Sequence, residues 1–164
     1  MVIYMKAIET ALSLTQAYKL GIERFEKMLG SEFSKAVDSM NNSSTHIIIC
    51  GMGKSGLVGR KISSTLASTG TPSIYLHPAE AIHGDLGKVQ KQSVVLLISY
   101  SGETGEIISL IPALKRLEVT IIGLTGVKNS TLASKSDIVL DTSVDREACP
   151  LNLAPTTSTM ITMV

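Results

Sequence analysis

Hydrophobic positions divide the chain into two parts with different periodicities. Over Val2–Leu29 the apolar residues recur at helical spacing, and no proline interrupts them. A glycine–serine pair then ends this helix, and Ser31–Ser39 continues as a second helical segment. The polar run Asn41–Thr45 follows. We therefore predict that residues 1–45 form an N-terminal helical segment that closes with a turn.

In the second part, residues 46–164, short and continuous apolar runs alternate with helical segments. Strands are predicted at His46–Cys50, Ser73–His77, Ser93–Ser99, Val119–Leu124 and Ile138–Asp141. Helices are predicted at Lys54–Ser68, Thr104–Leu117, Ser130–Ser134 and Thr156–Val164, the last with threonines available to cap it. Alternating apolar strands and helices are typical of a parallel sheet covered on both faces. The predicted fold class is therefore α/β: a doubly wound, five-stranded parallel sheet flanked by helices, with ligands bound at the carboxyl ends of the strands.

Composition and charge exclude several classes of protein. Apolar residues make up 44% of the chain and charged residues 18%, which argues against disorder. The formal net charge is +1 and aromatic residues are few, so no basic surface for nucleic acid is expected. Lys6 and Glu9 interrupt the place where a signal peptide needs an apolar core, and the uncharged Ala148–Val164 is too polar to span a bilayer. We expect one cytoplasmic domain that binds neither nucleic acid nor membrane.

The segment Gly51–Gly56 (GMGKSG) lies between the first predicted strand and its helix. Glycines let a backbone approach an anion, and a helix N-terminus offers free N–H groups. The pattern fits a dinucleotide fingerprint, but the next strand ends without the acidic residue that would hold a ribose. A P-loop would need glycine where Ile48 stands. The alternative is a tight turn without a ligand. Lys54 makes that alternative less attractive, because a lysine at a helix start interacts unfavourably with the helix dipole and a nearby anion would offset this.

The segment Ser99–Thr104 (SYSGET) brings hydroxyls and a glycine to another helix N-terminus. Hydroxyl and backbone N–H donors suit the oxygens of a phosphate group. The alternative is plain capping by Ser101 with Glu103 in the first turn, which accounts for one hydroxyl and the glutamate but not for the whole cluster. We therefore favour phosphate binding at this loop.

Two further segments carry groups capable of chemistry. The run HPAEAIHGDLG at residues 77–87 places two histidines beside two carboxylates, although the sequence does not identify a third metal ligand. The run DREACP at residues 145–150 follows the last strand and contains Glu147. That glutamate is either solvated surface or, beside a sugar phosphate, a general base.

Taken in order, these segments resemble the sugar isomerase (SIS) domain and, more closely, the D-arabinose 5-phosphate isomerases of the KpsF/GutQ type. The matching text is GMGKSG, ASTGTP at 67–72, HPAEA, HGDLG, SYSGET and REACPLNLAPTTST at 146–159. The resemblance implies a cytoplasmic enzyme without a cofactor that interconverts D-ribulose 5-phosphate and D-arabinose 5-phosphate through an enediol. That reaction feeds Kdo synthesis for lipopolysaccharide or capsule. The alternative is a SIS domain that binds a sugar phosphate as a sensor, without chemistry.

The resemblance also implies roles for individual residues. Its catalytic positions fall on Lys54, Glu106 and Glu147. Its substrate contacts fall on Gly53, Ser55, Gly70, Thr71, His83, Ser99, Ser101, Gly102, Glu103, Thr104, Ser143, Val144 and Asp145. His77 matches the ligand of an inhibitory zinc ion.

Members of this family extend further than the chain does. They carry another catalytic histidine beyond the helix that begins here near Thr156, and usually a pair of CBS domains after it. We therefore expect a single SIS domain over residues 1–164, cut short in its last helix, with an incomplete catalytic set and impaired activity. The apolar face of Val2–Leu29 is expected to pack against another subunit in a dimer or tetramer.

Overall fold

Five strands of mostly branched, apolar residues form one parallel sheet at the centre of the protein. The computed structural model describes residues 2–164, and the side chains of residues 6–164. The strands are β1 (Ile47–Gly51), β2 (Ser73–Leu76), β3 (Val94–Ile98), β4 (Thr120–Thr125) and β5 (Ile138–Asp141). All five predicted strands are confirmed, with bounds that differ by no more than one residue at either end. β1 and β3 are buried along their whole length, which explains their unbroken apolar character.

The order of strands in the sheet is β2-β1-β3-β4-β5. The chain passes from β1 outwards to β2 and then returns to the other side of β1 as β3. Gly51, the last residue of β1, pairs in register with Ile98, the last residue of β3. The connections that leave β1 and β3 therefore start side by side, at the point where the order reverses, and open sheets of this type bind ligands in that crevice.

Helices cover both faces of the sheet, as predicted. The helices are α1 (Val2–Met28), α2 (Ser31–Asn41), α3 (Gly53–Ser68), α4 (Pro78–Ile82), α5 (Gly105–Arg116), α6 (Thr131–Lys135) and α7 (Thr157–Thr162). Side chains from α4, α5 and α6 join one buried cluster, and side chains from α2 and α3 join the other. α4 and a short 3₁₀ helix at Asp85–Lys88 were not predicted. Pro78 at the first position of α4 is the one local signal for it.

The long helix α1 packs against α7. A Cβ atom on Gly21 would overlap the side chain of Thr157, so the two helices approach closely at that glycine. Phe25 is buried on the same side, whereas Ile8 and Leu12 are 54% and 63% exposed. Apolar residues therefore run around α1 rather than along a single face. Within residues 2–164, no helix combines the length and the hydropathy needed to cross a bilayer.

Candidate functional site

The loop after β3, Ser99–Thr104, holds its hydroxyl groups close together. The Ser99 and Thr104 hydroxyl oxygens lie 2.7 Å apart, and the N–H of Gly102 donates to Ser99 Oγ at 3.2 Å. Thr104, and not Ser101, is the N-cap residue of α5, so the capping alternative is wrong for this helix. Ser101 Oγ accepts instead from the N–H of Glu103 at 3.2 Å, within the loop. The loop thus presents a cluster of hydroxyls just before a helix N-terminus, as phosphate binding requires.

Contacts with α6 hold this loop in place from the other side. Gly102 has φ +67°, and a Cβ atom there would overlap the side chain of Ser130. Its carbonyl accepts from the N–H of Leu132 at 3.0 Å. The carboxylate of Glu103 accepts from the N–H of Thr131 at 2.6 Å, and this hydrogen bond lowers the pKa of Glu103. The Glu103 side chain therefore ties the loop to α6, while its predicted contact with substrate stays a prediction.

The turn after β1 is shaped by a tyrosine on β2. The hydroxyl of Tyr75 donates to the carbonyl of Gly51 at 2.6 Å, and a Cβ atom on Gly56 would lie 2.5 Å from that hydroxyl. The guanidinium of Arg60 lies 4.2 Å from the centre of the Tyr75 ring. Gly53 adopts φ +55°, which favours glycine. Close packing around Tyr75 thus explains the glycine at position 56, and nothing in the sequence marked Tyr75 for this role.

Lys54 occupies the second position of α3, immediately after that turn, and its side chain is exposed. Among residues 6–164, no carboxylate lies within 4.0 Å of its ammonium group. No carboxylate of the described side chains therefore offsets the unfavourable interaction with the helix dipole that the sequence suggested. Glu106 occupies the corresponding second position of α5 and is half-buried. These two predicted catalytic residues begin the helices that leave the neighbouring strands β1 and β3.

A cavity of about 160 Å³ opens at the carboxyl edge of the sheet. Its polar lining comes from the first turn of α3, the loop after β3, the loop after β5 and α7. The residues that line it are Ser55, Val58, Ile98, Tyr100, Leu124, Thr142, Glu147, Leu153, Pro155, Ser158, Thr159 and Thr162. Ser55 and Glu147, predicted from separate motifs, therefore meet in one cavity, and Tyr100 is an additional polar residue there.

Glu147 caps helix α7 with its carboxylate. Oε2 accepts from the N–H and hydroxyl of Thr156 at 2.8 and 3.1 Å and from the N–H of Ser158 at 3.2 Å, and the Ser158 hydroxyl donates to Oε1. Partial burial raises the pKa of Glu147, but the donors of Ser158 and Thr156 lower it by more, so the net pKa is below its usual value. A threonine, Thr156, does occupy the N-cap position as expected, but its side chain makes no capping hydrogen bond, and Glu147 from the preceding loop accepts from the N–H groups instead.

The other predicted residues of the loop after β5 are tied to distant parts of the chain. Asp145 forms an ion pair with Arg24 on α1, and the same guanidinium donates to Ser143 Oγ at 3.0 Å. The N–H of Val144 donates to the hydroxyl of Tyr100 at 3.3 Å. This loop is therefore anchored both to α1 and to the loop after β3.

Gly70 and Thr71 precede β2, so they lie at the amino edge of the sheet, away from the cavity. His77 and His83 flank α4; His83 is exposed, and His77 Nδ1 is buried without a hydrogen-bond partner in the described part of the chain. Side chains of residues 6–164 form no group of three or more histidine, cysteine or acidic residues able to hold a metal ion. The zinc ligand therefore stays a prediction.

A comparison with protein families matches residues 40–164 to the model described as SIS domain. Among curated proteins, arabinose 5-phosphate isomerase KdsD of Pseudomonas aeruginosa is 53% identical over 136 residues, which cover 83% of this chain and 42% of that protein. The probable arabinose 5-phosphate isomerase of Haemophilus influenzae is 48% identical over 160 residues, covering 98% and 47% respectively. The chain thus spans less than half the length of these curated relatives.

Solved structures show the same fold. Protein c3406 of Escherichia coli CFT073, in complex with arabinose 5-phosphate, has a TM-score of 0.86 and 36% identity, and the match covers 97% of this chain and 85% of that one. A putative sugar-phosphate isomerase from Listeria monocytogenes has a TM-score of 0.91 and 32% identity, and the match covers 96% and 83%. The α/β sandwich with its N-terminal helices is therefore confirmed.

Proposed function

This chain belongs to the SIS domain family, and on that premise we propose that it binds a pentose 5-phosphate and serves an isomerase that interconverts D-arabinose 5-phosphate and D-ribulose 5-phosphate. The observation that supports it most is that the loop after β3 contributes Tyr100 to the cavity at the carboxyl edge of the sheet, beside the point where the strand order reverses. Lys54 and Glu106 do not line that cavity themselves; they stand at the starts of the helices that leave β1 and β3. The two curated relatives described above carry the names arabinose 5-phosphate isomerase KdsD and probable arabinose 5-phosphate isomerase.

The phosphate group would bind at the loop after β3. Ser99 and Thr104 already share a hydrogen bond across the loop, and a phosphate oxygen can replace one member of that pair. Ser101 and the N-terminus of α5 add donors on the same side of the strand ends. The sugar carbons would then extend into the adjoining cavity.

Isomerisation moves a proton between neighbouring carbons through an enediol, which requires a base and a cation near the oxygens that gain charge. Lys54, which has no carboxylate partner among residues 6–164, supplies the cation. Glu106, which begins the helix after β3, is the carboxylate we propose for orienting Lys54 or moving the proton. Glu147 is less suited to proton transfer, because its carboxylate already accepts four hydrogen bonds and its pKa is lowered.

That engagement of Glu147 favours a second candidate function. A domain that only senses a sugar phosphate needs the phosphate loop and the cavity but no proton acceptor. The four hydrogen bonds that the Glu147 carboxylate accepts hold the wall of that cavity, and binding alone requires no more of it. Turnover distinguishes a sensor from an enzyme, since both would bind the same ligand.

The setting of this activity is also a proposal. We propose that the isomerase supplies arabinose 5-phosphate to Kdo synthesis in the cytoplasm, without a cofactor. The exposed apolar residues of α1, among them Ile8 and Leu12, would pack against another copy of the chain in a dimer or tetramer. Light scattering that finds a monomer would overturn the oligomer.

The test of the function is proton NMR of the chain with D-arabinose 5-phosphate in heavy water. Formation of ribulose 5-phosphate, with deuterium entering at C1 or C2, would support the isomerase. Lys54→Ala should abolish turnover, and Lys61→Ala, an exposed lysine two turns along the same helix, should not. Ligand shifts without turnover would favour the sensor, and no ligand shifts at all would contradict both.

A further inference from the structure

We propose that the hydroxyl of Tyr100 contacts the bound ligand, donating a hydrogen bond to a hydroxyl of the sugar rather than to its phosphate. This inference rests on the proposed function, because it assigns a specificity residue to the same cavity. Tyr100 lies between the two serines of the loop after β3, but its hydroxyl contacts the loop after β5 instead of the serine hydroxyls.

The ring of Tyr100 is fixed against the backbone that follows β4. A Cβ atom on Gly126 would lie 2.5 Å from the ring, so the ring needs a glycine beneath it. The carbonyl of Tyr100 accepts from the N–H of Gly126 at 2.9 Å and from the Thr125 hydroxyl at 3.1 Å. Backbone and ring are thus held on one side by the same short segment, while 38% of the residue stays exposed.

The hydroxyl of Tyr100 has one hydrogen-bonding function still unused. It accepts from the N–H of Val144 at 3.3 Å. Among residues 6–164, no acceptor for its own proton is present. Tyr100 lines the cavity together with Glu147 and Ser55. A donor without an acceptor, at the wall of a ligand cavity, is suited to bind a polar group of the ligand.

Topology favours a sugar hydroxyl as that group. The backbone of Tyr100 follows β3, and its side chain extends past the end of β4 to the loop after β5. The distance is two strand spacings, or roughly 10 Å across the sheet. The phosphate donors stay on the near side, beside the start of α5. Apolar side chains of Val58, Ile98 and Leu124 line the same cavity as Tyr100, and less polar surroundings strengthen a hydrogen bond made there.

The experiment compares binding of D-arabinose 5-phosphate and of inorganic phosphate by NMR titration of the 164-residue chain. Tyr100→Phe removes only the hydroxyl, and Tyr18→Phe on α1 is the matched control. The dissociation constant of the sugar phosphate should rise about fivefold to tenfold for Tyr100→Phe, as expected for one lost hydrogen bond. That of inorganic phosphate should not change, and Tyr18→Phe should alter neither.

Binding of pentose 5-phosphates that each lack one hydroxyl shows whether Tyr100 contacts the sugar directly or only positions the loop. For the analogue that lacks the contacted hydroxyl, the affinities of the parent chain and Tyr100→Phe should become equal. An unchanged affinity of Tyr100→Phe for arabinose 5-phosphate would overturn the inference. So would an equal loss for sugar phosphate and inorganic phosphate, since that would mean the loop had moved. If the parent chain binds no sugar phosphate, the proposed function itself fails, a result distinct from either.

Discussion

Two loops at the carboxyl edge of the sheet serve the same cavity but are built in different ways. The loop after β3 is short, and its hydroxyls bond mainly within the loop, as the 2.7 Å contact between Ser99 and Thr104 shows. The loop after β5 is longer, and its polar groups are held by distant segments. Asp145 bonds to Arg24 on α1, and Glu147 bonds to the start of α7.

This difference suggests that the loop after β3 binds the ligand and that the loop after β5 supports the cavity around it. In the loop after β3, the Ser99 and Thr104 hydroxyls bond to each other, and the serine hydroxyls accept from N–H groups of the same loop, so they can exchange partners when a phosphate arrives. In the loop after β5, each carboxylate already has its donors, and removing one leaves partly buried groups unpaired. The first loop is therefore expected to respond to ligand, and the second to maintain the shape of the cavity.

The strongest test of the loop after β3 is Gly102→Ala. The substitution forces φ +67° on a residue with a side chain and places that side chain against Ser130. Strain and overlap together should lower the free energy of unfolding by about 3 kcal/mol. Urea unfolding followed by circular dichroism measures it.

Gly105→Ala, three residues further on, is the matched control. A Cβ atom there meets nothing within 4 Å, and the residue begins α5 with an ordinary backbone conformation. Its stability should change by no more than about 0.5 kcal/mol. Equal effects of the two substitutions would show that the loop is not held by Gly102.

Glu147→Gln tests the loop after β5. The variant keeps the size of the side chain but removes the charge that four donors approach, so the free energy of unfolding should fall by about 2 kcal/mol at pH 7. Glu9→Gln, on the exposed part of α1, should change it by no more than about 0.5 kcal/mol.

The pH dependence of that effect follows from the lowered pKa of Glu147. A carboxyl whose folded pKa lies below its unfolded value stabilises the protein above the unfolded value, roughly pH 4.3, and loses that contribution as the pH falls through the folded pKa. The difference in stability between the parent chain and Glu147→Gln should therefore shrink between pH 6 and pH 3. A difference that grows on acidification would contradict the capping role.

The same contrast explains what the sequence could predict. The five strands, the two covered faces and the loop after β3 depend on local patterns, and all are present. The capping of α7 by Glu147 joins residues 9 and 11 positions apart, and the contact of Tyr75 with Gly51 spans 24. Such contacts depend on strand register and loop path, which no local pattern encodes. The short helix α4 was missed, whereas α6, which is equally short, was predicted. Ser130 caps α6 with its side chain, but His77 at the N-cap of α4 makes no such hydrogen bond, so only Pro78 marks that helix in the sequence.

Tyr75→Phe tests whether the turn after β1 is set by its local sequence or by a contact with a distant residue. The variant removes the 2.6 Å hydrogen bond to the Gly51 carbonyl and keeps the ring beneath Arg60. If the turn is held by this long-range contact, stability should fall by about 1 kcal/mol, and the amide resonances of the turn should shift. Tyr18→Phe on α1 should leave those resonances unchanged. A silent Tyr75→Phe would show that the glycines alone define the turn.

The smallest effect on stability is expected at the two cysteines, where we instead predict a large difference in reactivity towards an alkylating reagent. Cys149 lies in the loop after β5, where the backbone N–H groups of Ala154, Leu153 and Leu151 lower the pKa of its thiol. Burial in β1 raises the pKa of Cys50 to about 12.

The thiolate is the reactive form, so iodoacetamide at pH 7.5 should add one group to each folded chain, at Cys149, and two in urea. Cys149→Ser should remove the label from the folded chain and change its stability by no more than about 0.5 kcal/mol. Labelling of Cys149 no faster in the folded chain than in urea would show that the donors of this loop do not reach the sulfur, and the contrast between the two loops would then rest on Asp145 and Glu147 alone.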